Sequence, residues 1–413
     1  MSNNTSWINN TSLPVHYVIT ILDMDITQNC NFRCRYCFKG NKENLSTPSM
    51  DLHTALTSID WLIESSGDAK ELSAAFMGGE PLLQFELIKD VVPYGKRRAW
   101  NRGKSIQFSA TTNLSLVTEE IVDFFAQWGM GWHASIDGTP EVQNYQRPFS
   151  NNMGSSRRVE QAVRHILKYR PTCQARSTMM EVMLPHLYES YMYFKKLGFV
   201  NVGIAPADVT NWTEDGFRVF RNQMRMVYDD VIECFRNRVK IYVSGVEYLF
   251  SYFSGETKTK DFTCGAGRGM VLVDPSGDLW PCHRWDSAAK DVNSERFWKM
   301  GNIFDGDFNN DLHLALLQRQ RMFDQNVECK GCICEDYCSP GCPAGNLQEI
   351  GTIYRCHENW CEISRICYEE GKRAYDILYN ENNEMLFERY KLNKRSSKRR
   401  NIYYKKNGNL NHG

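Results

Sequence analysis

The sequence predicts an α/β fold, a parallel sheet flanked by helices and followed by a smaller cysteine-rich region, and three observations predict it. Strand-like and helix-like segments alternate from Tyr17 to Ala205, the rhythm of strand-plus-helix units. The 413 residues are 42% hydrophobic and 24% charged, enough for a buried core in roughly two to three domains. The 15 cysteines are unevenly placed: Cys30, Cys34 and Cys37 form one tight group, and ten more lie between Cys264 and Cys367.

Taken in order, Tyr17 to Ile26 is β-branched and alternating and runs as a strand into the first cysteine group. Asp51 to Ile63 reads as a helix, Leu72 to Met77 as a strand ending in Gly78-Gly79, and Leu82 to Arg98 as a helix. Ser105 to Thr111 is a strand; Thr118-Glu119-Glu120 opens a helix with carboxylates at its positive end, running to Trp128. Gly131 to Ile136, Cys173 to Val182 and Val200 to Ala205 read as strands, separated by helices at Ser156 to Lys168 and His186 to Leu197. Ligand sites of such a sheet belong at the carboxyl ends of its strands. A long helix from Glu214 to Lys240 and an aromatic-rich stretch from Tyr242 to Phe253 mark a change of rhythm, and the expected domains are 1–230, 231–385 and a basic tail, 386–413, read as disordered. Met270 to Val273 and Leu279 to Cys282, joined by Asp274-Pro275-Ser276-Gly277-Asp278, read as a β-hairpin. From Cys329 onward turns and cysteines outweigh periodicity, so bound metal is expected to supply the order there.

Lys plus Arg and Asp plus Glu both count 49, which argues against a polyanion-coating protein. No stretch approaches the roughly 20 apolar residues of a membrane span, and the Asn, Ser and Thr rich start lacks the basic segment of a signal peptide. A cytoplasmic location is expected. In a reducing compartment an odd number of cysteines points to metal ligation rather than to a disulfide framework.

Cys30-x3-Cys34-x2-Cys37 offers three thiolates on one short loop after a strand. That is enough to hold three irons of a cubane and leave the fourth open for chemistry. The plainer alternative is a partial zinc knuckle, but a structural zinc wants four closed ligands and no fourth lies close in sequence. The segment Cys-Asn-Phe-Arg-Cys-Arg-Tyr-Cys-Phe resembles the signature loop of the radical S-adenosylmethionine (SAM) enzymes. That resemblance implies a partial (βα)6 barrel. It also implies that Gly78, Gly79 and Glu80 meet the methionine amino group of SAM, that Asn113 and Ser135 are further cofactor contacts, and that Asp137 or Ser135 lies near the ribose. The family's usual His-Asp pair is replaced here by Gln143-Asn144, while the Arg that follows it remains as Arg147. The implied chemistry is reductive cleavage of SAM to a 5′-deoxyadenosyl radical that takes a hydrogen atom from the substrate.

Cys264-x12-Gly277-x4-Cys282, then Cys329-x2-Cys332-x5-Cys338-x3-Cys342, then Cys361, is similar to the seven-cysteine pattern of the SPASM extension, which carries two auxiliary 4Fe-4S clusters. By that resemblance Cys264, Cys282 and Cys342 bind one cluster, and Cys329, Cys332, Cys338 and Cys361 the other, for three clusters in all. Cys334, or a substrate atom, could complete the first; Cys356 competes with Cys361. Paired zinc ribbons are the alternative for this field. Cys173, Cys234 and Cys367 read as buried structural thiols.

SPASM enzymes modify peptides and proteins. Sulfatase maturases carry an Asp after the hairpin cysteine, thought to act as base, whereas Cys282 is followed by His283, a residue able to take a proton near neutral pH but equally able to be structural. The leading expectation is a maturase that removes a hydrogen atom from a residue of a ribosomally made precursor peptide, whether for crosslinking, epimerisation or backbone excision. A sulfatase-maturase-type enzyme oxidising Cys or Ser is the second. A zinc-ribbon scaffold or nucleic-acid binder is the third, from another class. The implied partners are the peptide, an electron donor such as flavodoxin or ferredoxin and, because only 29 residues precede Cys30, a separate leader-peptide recognition protein or direct docking on the barrel mouth. Arg389 to Gly413 holds nine Lys or Arg and no acid, which reads as a solvated tail or as a dock for an acidic partner, with nucleic acid less favoured.

Overall fold

The computed structural model describes residues 18–39, 49–207, 209–257, 264–285, 298–323, 329–338 and 341–392. Its spine is a single ten-stranded sheet in the order β10-β9-β8-β1-β2-β3-β4-β5-β6-β7. Six parallel strands form the expected barrel wall: β1 (Ile21–Thr27), β2 (Glu71–Gly78), β3 (Ser105–Thr112), β4 (Gly131–Ser135), β5 (Gln174–Met179) and β6 (Asn201–Pro206).

Strand parity decides what each residue does, because successive side chains point to opposite faces. On β1, Leu22, Met24 and Ile26 are fully buried, while Asp23 lines the cavity on the other face. The same division places Leu72, Ala74 and Phe76 of β2, and Ile106, Phe108 and Ala110 of β3, in the core. Each large apolar side chain buried this way contributes about 1.5–3 kcal/mol. Phe76 and Phe108 stack with ring centroids 5.7 Å apart. Gly95 lets the crossover helix close on that pair, since a Cβ there would meet the Phe108 ring at 2.6 Å.

The helices that cover the sheet are α1 (Leu52–Ser65), α2 (Phe85–Asn101), α3 (Glu119–Trp128), α4 (Pro140–Gln146), α5 (Ser156–Tyr169), α6 (Leu187–Leu197) and α7 (Glu214–Arg236). Their ends follow local chemistry. Asp51 accepts from the Thr54 N–H at 2.7 Å to cap α1, and Gly129 takes a left-handed φ of 62° to end α3. The short α4 was not anticipated; Thr139 caps it and Pro140 starts it.

The expected boundary at 230/231 falls inside α7, and the sheet runs past it. β7 (Tyr242–Val243) pairs in parallel with β6 before α8 (Ser244–Ser254) begins. At the other edge, β8 (Met270–Val273) pairs in parallel with β1, and with β9 (Asp278–Trp280) forms the predicted hairpin. β10 (Gly301–Asn302) closes that side, followed by α9 (Asn310–Phe323), α10 (Pro343–Ile350), α11 (Glu358–Asn380) and α12 (Glu384–Arg389).

Contrary to expectation, the region after Cys329 has an apolar core. Ile363, Ile366, Ala374 and Leu378 of α11 are buried, spaced three to four residues apart along one face. That face packs on α7 and α8: the Tyr228 hydroxyl donates to the Cys367 carbonyl at 3.2 Å, and Gly371 leaves room for Leu249. Arg225 reaches the buried Glu370 at 2.7 Å, and Arg373 bridges Glu370 and Asp229. The ordered chain also extends beyond residue 386. Leu386, Phe387 and Tyr390 are buried, and Arg389 pairs with Glu247 at 2.9 Å. Residues 393–413, most of the basic tail, lie outside the described residues. Among the described residues no helix is long and apolar enough to cross a membrane.

Candidate active site

The carboxyl ends of the strands open into a cavity of about 530 Å³ whose rim carries Cys30, Cys34 and Cys37. The cysteine loop is tied down at several points. Arg33 and Arg35 donate backbone N–H bonds to Pro148 and Gln146 at 2.9 Å. Asn113 at the end of β3 donates to Asn31 at 2.9 Å and points its amide at the Cys30 sulfur at 3.8 Å. Each thiol has the other two as electrostatic neighbours, and burial pushes Cys30 up to about 11 and Cys34 up to about 12. Three neighbouring sulfurs on one loop, Cys30 and Cys34 desolvated and Cys37 exposed, fit a cluster that takes three protein thiolates.

Gly78 and Gly79 line the cavity, and their missing side chains serve the loop. A Cβ on Gly78 would lie 2.1 Å from the Thr27 carbonyl oxygen, and one on Gly79 would lie 2.1 Å from that of Asn29. Gly79 and Glu80 donate their N–H groups to those same carbonyls at 2.7 and 2.8 Å. Gly78 also sits at φ +131°, open to glycine alone at little cost. The Glu80 carboxylate is fully buried outside the cavity lining. It accepts from the Leu82 N–H (3.0 Å), the Thr112 hydroxyl (2.7 Å) and the Asn113 N–H (2.7 Å). Burial nevertheless pushes its pKa up to about 7 against those three bonds.

Ser135 lines the cavity, whereas Asp137 does not. Asp137 is fully buried and accepts from Tyr36, Gln146 and the Thr178 N–H, with Arg147 at 2.9 Å. Gln143, one of the two residues replacing the family's His-Asp pair, accepts from the Asp137 N–H at 2.9 Å and donates to Ser155; Asn144 accepts from the Ser156 N–H. This stretch is therefore a brace for the β4 end. His283 reaches the cavity from beyond the hairpin, its Nδ1 3.4 Å from Asp23 on β1 and its ring 5.6 Å from that of Phe38.

Sequence reasoning missed the lumen itself. Asp23, Lys39, His133, Arg176 and Thr178 all line it, and Asp25 forms a buried ion pair with Lys39. The available signal was polar residues at alternate positions within otherwise apolar strands, Asp23 and Asp25 on β1 above all.

In the cysteine-rich region the thiols gather into two sets. Cys282 has Cys342 and Cys264 as neighbours, and Cys264 has Cys342. Cys338 has Cys361, Cys329 and Cys332. Cys334 sits beside Cys332 and Cys338, with the second set, so it is not placed to complete the first. The free thiol of Cys356 shares a hydrogen bond with that of Cys361 at the margin of the second set. No group of three or more ligands among the described residues is drawn in to the spacing of a single metal ion; the sets are defined by their mutual proximity. Cys173 and Cys234 are buried away from both sets, and Cys367 has a fully desolvated thiol.

Residues 24–193 match the Radical SAM superfamily. An uncharacterized protein of Methanocaldococcus jannaschii is 30% identical over 181 residues, 44% of this chain and 60% of that protein. The cysteine-type anaerobic sulfatase-maturating enzyme of Clostridium perfringens is 23% identical over 357 residues, 78% of this chain and 88% of the relative. A solved structure of native anSMEcpe with bound AdoMet and Cp18Cys peptide superposes with a TM-score of 0.71 at 20% identity, covering 88% of this chain and 99% of that one.

Proposed function

We propose that this chain, a radical SAM enzyme by its residues 24–193, modifies a residue within a peptide or protein by first removing a hydrogen atom from it. The observation that carries the reading is a three-thiol loop on the rim of the same 530 Å³ cavity that Ser135, Asn113 and the β2 glycines line. Cys30, Cys34 and Cys37 would hold one 4Fe-4S cluster, with SAM beside it against Gly78, Gly79, Asn113 and Ser135. Cys264, Cys282 and Cys342 would hold a second cluster, and Cys329, Cys332, Cys338 and Cys361 a third. Together SAM and the loop cluster supply one-electron chemistry able to break an unactivated C–H bond. The protein's part is placement: Tyr36, through Asp137, and Arg33, through the Cys30 and Phe32 carbonyls, fix the loop beside the cavity.

The target within this reading is a precursor peptide residue. A sulfatase-maturase-type oxidation of Cys or Ser is the second reading, supported by the span of similarity to the clostridial enzyme. His283 stands where the resemblance expects that family's Asp, which favours the first. An electron donor and a separate leader-recognition protein belong to the proposal as well.

The test is anaerobic reconstitution followed by incubation with SAM, reductant and peptides encoded beside the gene. The reading expects about twelve irons per chain, 5′-deoxyadenosine whose formation rises with peptide, and a product peptide altered in mass or, for epimerisation, in residue stereochemistry, read by mass spectrometry and chiral amino-acid analysis. Zinc in place of iron, or SAM cleavage with every peptide unchanged, overturns it.

A further inference from the structure

The lumen below the cysteine loop has an uneven charge arrangement. The one carboxylate among its lining residues, Asp23, is engaged by His283 at 3.4 Å, and Lys39, which also lines it, forms a buried ion pair with Asp25 behind the wall. Arg176 on β5 lines the same cavity and has no ion pair or side-chain hydrogen bond among the described residues. Its side chain is exposed, and strand parity says to what. Ala175, Ser177 and Met179 of β5 are buried, so Arg176 and Thr178 project into the lumen. Arg176 is in register with Ser135 of β4, one lumen layer below Thr178, whose N–H holds Asp137 at the level of the cysteine loop.

The neighbour between the two charges does not neutralise either. His133 on β4 has both Arg176 and Asp23 as electrostatic neighbours; burial, reinforced by Arg176, lowers its pKa, so it is uncharged at neutral pH. Its Nδ1 is buried without a hydrogen-bond partner. In the open cavity water solvates Arg176. A chain that fills the cavity displaces that water and leaves an unpaired guanidinium in a low-dielectric pocket, a strongly unfavourable outcome unless the incoming chain brings an anion. A planar fork of donors is suited to a carboxylate, which it can grip at two points.

We propose that Arg176 is a specificity-determining residue that receives a carboxylate of the substrate chain inside the lumen, so that the enzyme selects peptides with an Asp or Glu, or a free C-terminus, next to the modified residue. The assignment rests on the peptide-modifying reading above and names the substrate class within it. Peptides with a basic residue at that position are rejected by the same charge.

The experiment uses the full-length reconstituted protein loaded with SAM, without reductant, so that binding is read apart from turnover. The probe is a randomised pool of N-acetylated decapeptides, made in C-terminal acid and amide forms, with the retained fraction sequenced by mass spectrometry. Wild type should retain acidic peptides. Arg176→Gln should lose that preference by about tenfold or more, and Arg176→Glu should exchange it for Lys and Arg. Retention of amide peptides containing Asp or Glu identifies the side chain as the source; retention of the acid forms alone identifies the C-terminus. SAM affinity by equilibrium dialysis and iron content should match wild type in both variants. Loss of SAM binding in Arg176→Gln with an unchanged peptide preference would assign the residue to the cofactor's carboxylate and overturn the proposal. Peptide binding without any acidic preference overturns it too, while leaving the peptide reading intact. Retention of no peptide by wild type overturns that reading and this assignment with it.

Discussion

The Tyr36 hydroxyl donates to the Asp137 carboxylate at 2.7 Å, and this bond fastens the cysteine loop to the end of β4. Asp137 is saturated by it. One oxygen takes Tyr36, Gln146 Nε2 at 2.9 Å and Arg147 at 2.9 Å, and the other takes the Thr178 N–H at 2.9 Å. Arg147 in turn lies over the Tyr36 ring, 5.2 Å from its centroid. A residue whose sequence context suggests a ribose contact is thus the anchor of a buried network that sets where the three thiols stand.

Asp137→Asn is expected to leave Arg147 buried without its counter-ion, costing about 3–5 kcal/mol. Chemical denaturation should show that loss, and the loop's share of the iron should fall with it. A ribose contact alone would behave differently, raising the SAM dissociation constant while stability and iron stayed at wild-type levels.

How much of this was legible follows from which forces leave a local trace. The alternating strands and helices through Pro206 are written in periodicity, and the hairpin in Asp274-Pro275-Ser276-Gly277, because burial on one face repeats at 2 or about 3.6 residues. The three-thiol loop was legible because ligands on one short loop need no long-range closure. The anchoring network of Asp137 was not legible for the converse reason: its partners Tyr36 and Thr178 lie 101 and 41 residues away in sequence. The core beneath α11 was overlooked because Cys356, Cys361 and Cys367 drew the reading toward turns. Ile363, Ile366, Ala374 and Leu378 carry a helical spacing that could have found it. Arg176 gave no motif at all; only its place in the barrel makes it unusual.

The competition between Cys356 and Cys361 can be decided by iron content. Cys338 has Cys361, Cys329 and Cys332 as its thiol neighbours, and Cys356, hydrogen-bonded to Cys361, also has Cys338 as an electrostatic neighbour. Cys361→Ala should therefore lose about four irons, one cubane, whereas Cys356→Ala should keep them. Equal losses, or a larger loss with Cys356→Ala, would make Cys356 the ligand.

Glu80 should leave a signature in the pH dependence of stability. Its carboxyl is raised from 4.5 to about 7 by burial, so between those values the folded state holds a proton that the unfolded chain has released. The associated stability is fully present below pH 4.5 and is lost as pH rises through 7, a total of about 3 kcal/mol. Glu80→Gln cannot titrate. Thermal unfolding of wild type should show this decline, and the variant's curve should lack it even though its overall stability is lower.

Arg319 on α9 is buried, donating to the Ile353 carbonyl at 2.7 Å and to the Gly341 carbonyl at 3.4 Å, the residue before Cys342. Its electrostatic neighbours are Cys264 and Cys342 from one thiol set and Cys338 from the other, with Cys356 beside them. One fixed cation thus serves both sets. With clusters loaded, it favours their reduced, more negative state, and a unit charge a few ångströms away in a protein interior is worth a few kcal/mol at an effective dielectric of about 20, on the order of 100 mV for one electron. Arg319→Met keeps apolar bulk and removes the charge. Redox titration followed by electron paramagnetic resonance should then show both auxiliary signals at more negative potentials, with the loop cluster unmoved. A shift confined to the loop cluster, or unchanged potentials at full iron content, would show that the charge is screened from the thiol sets and that Arg319 serves only to hold the Ile353 and Gly341 carbonyls.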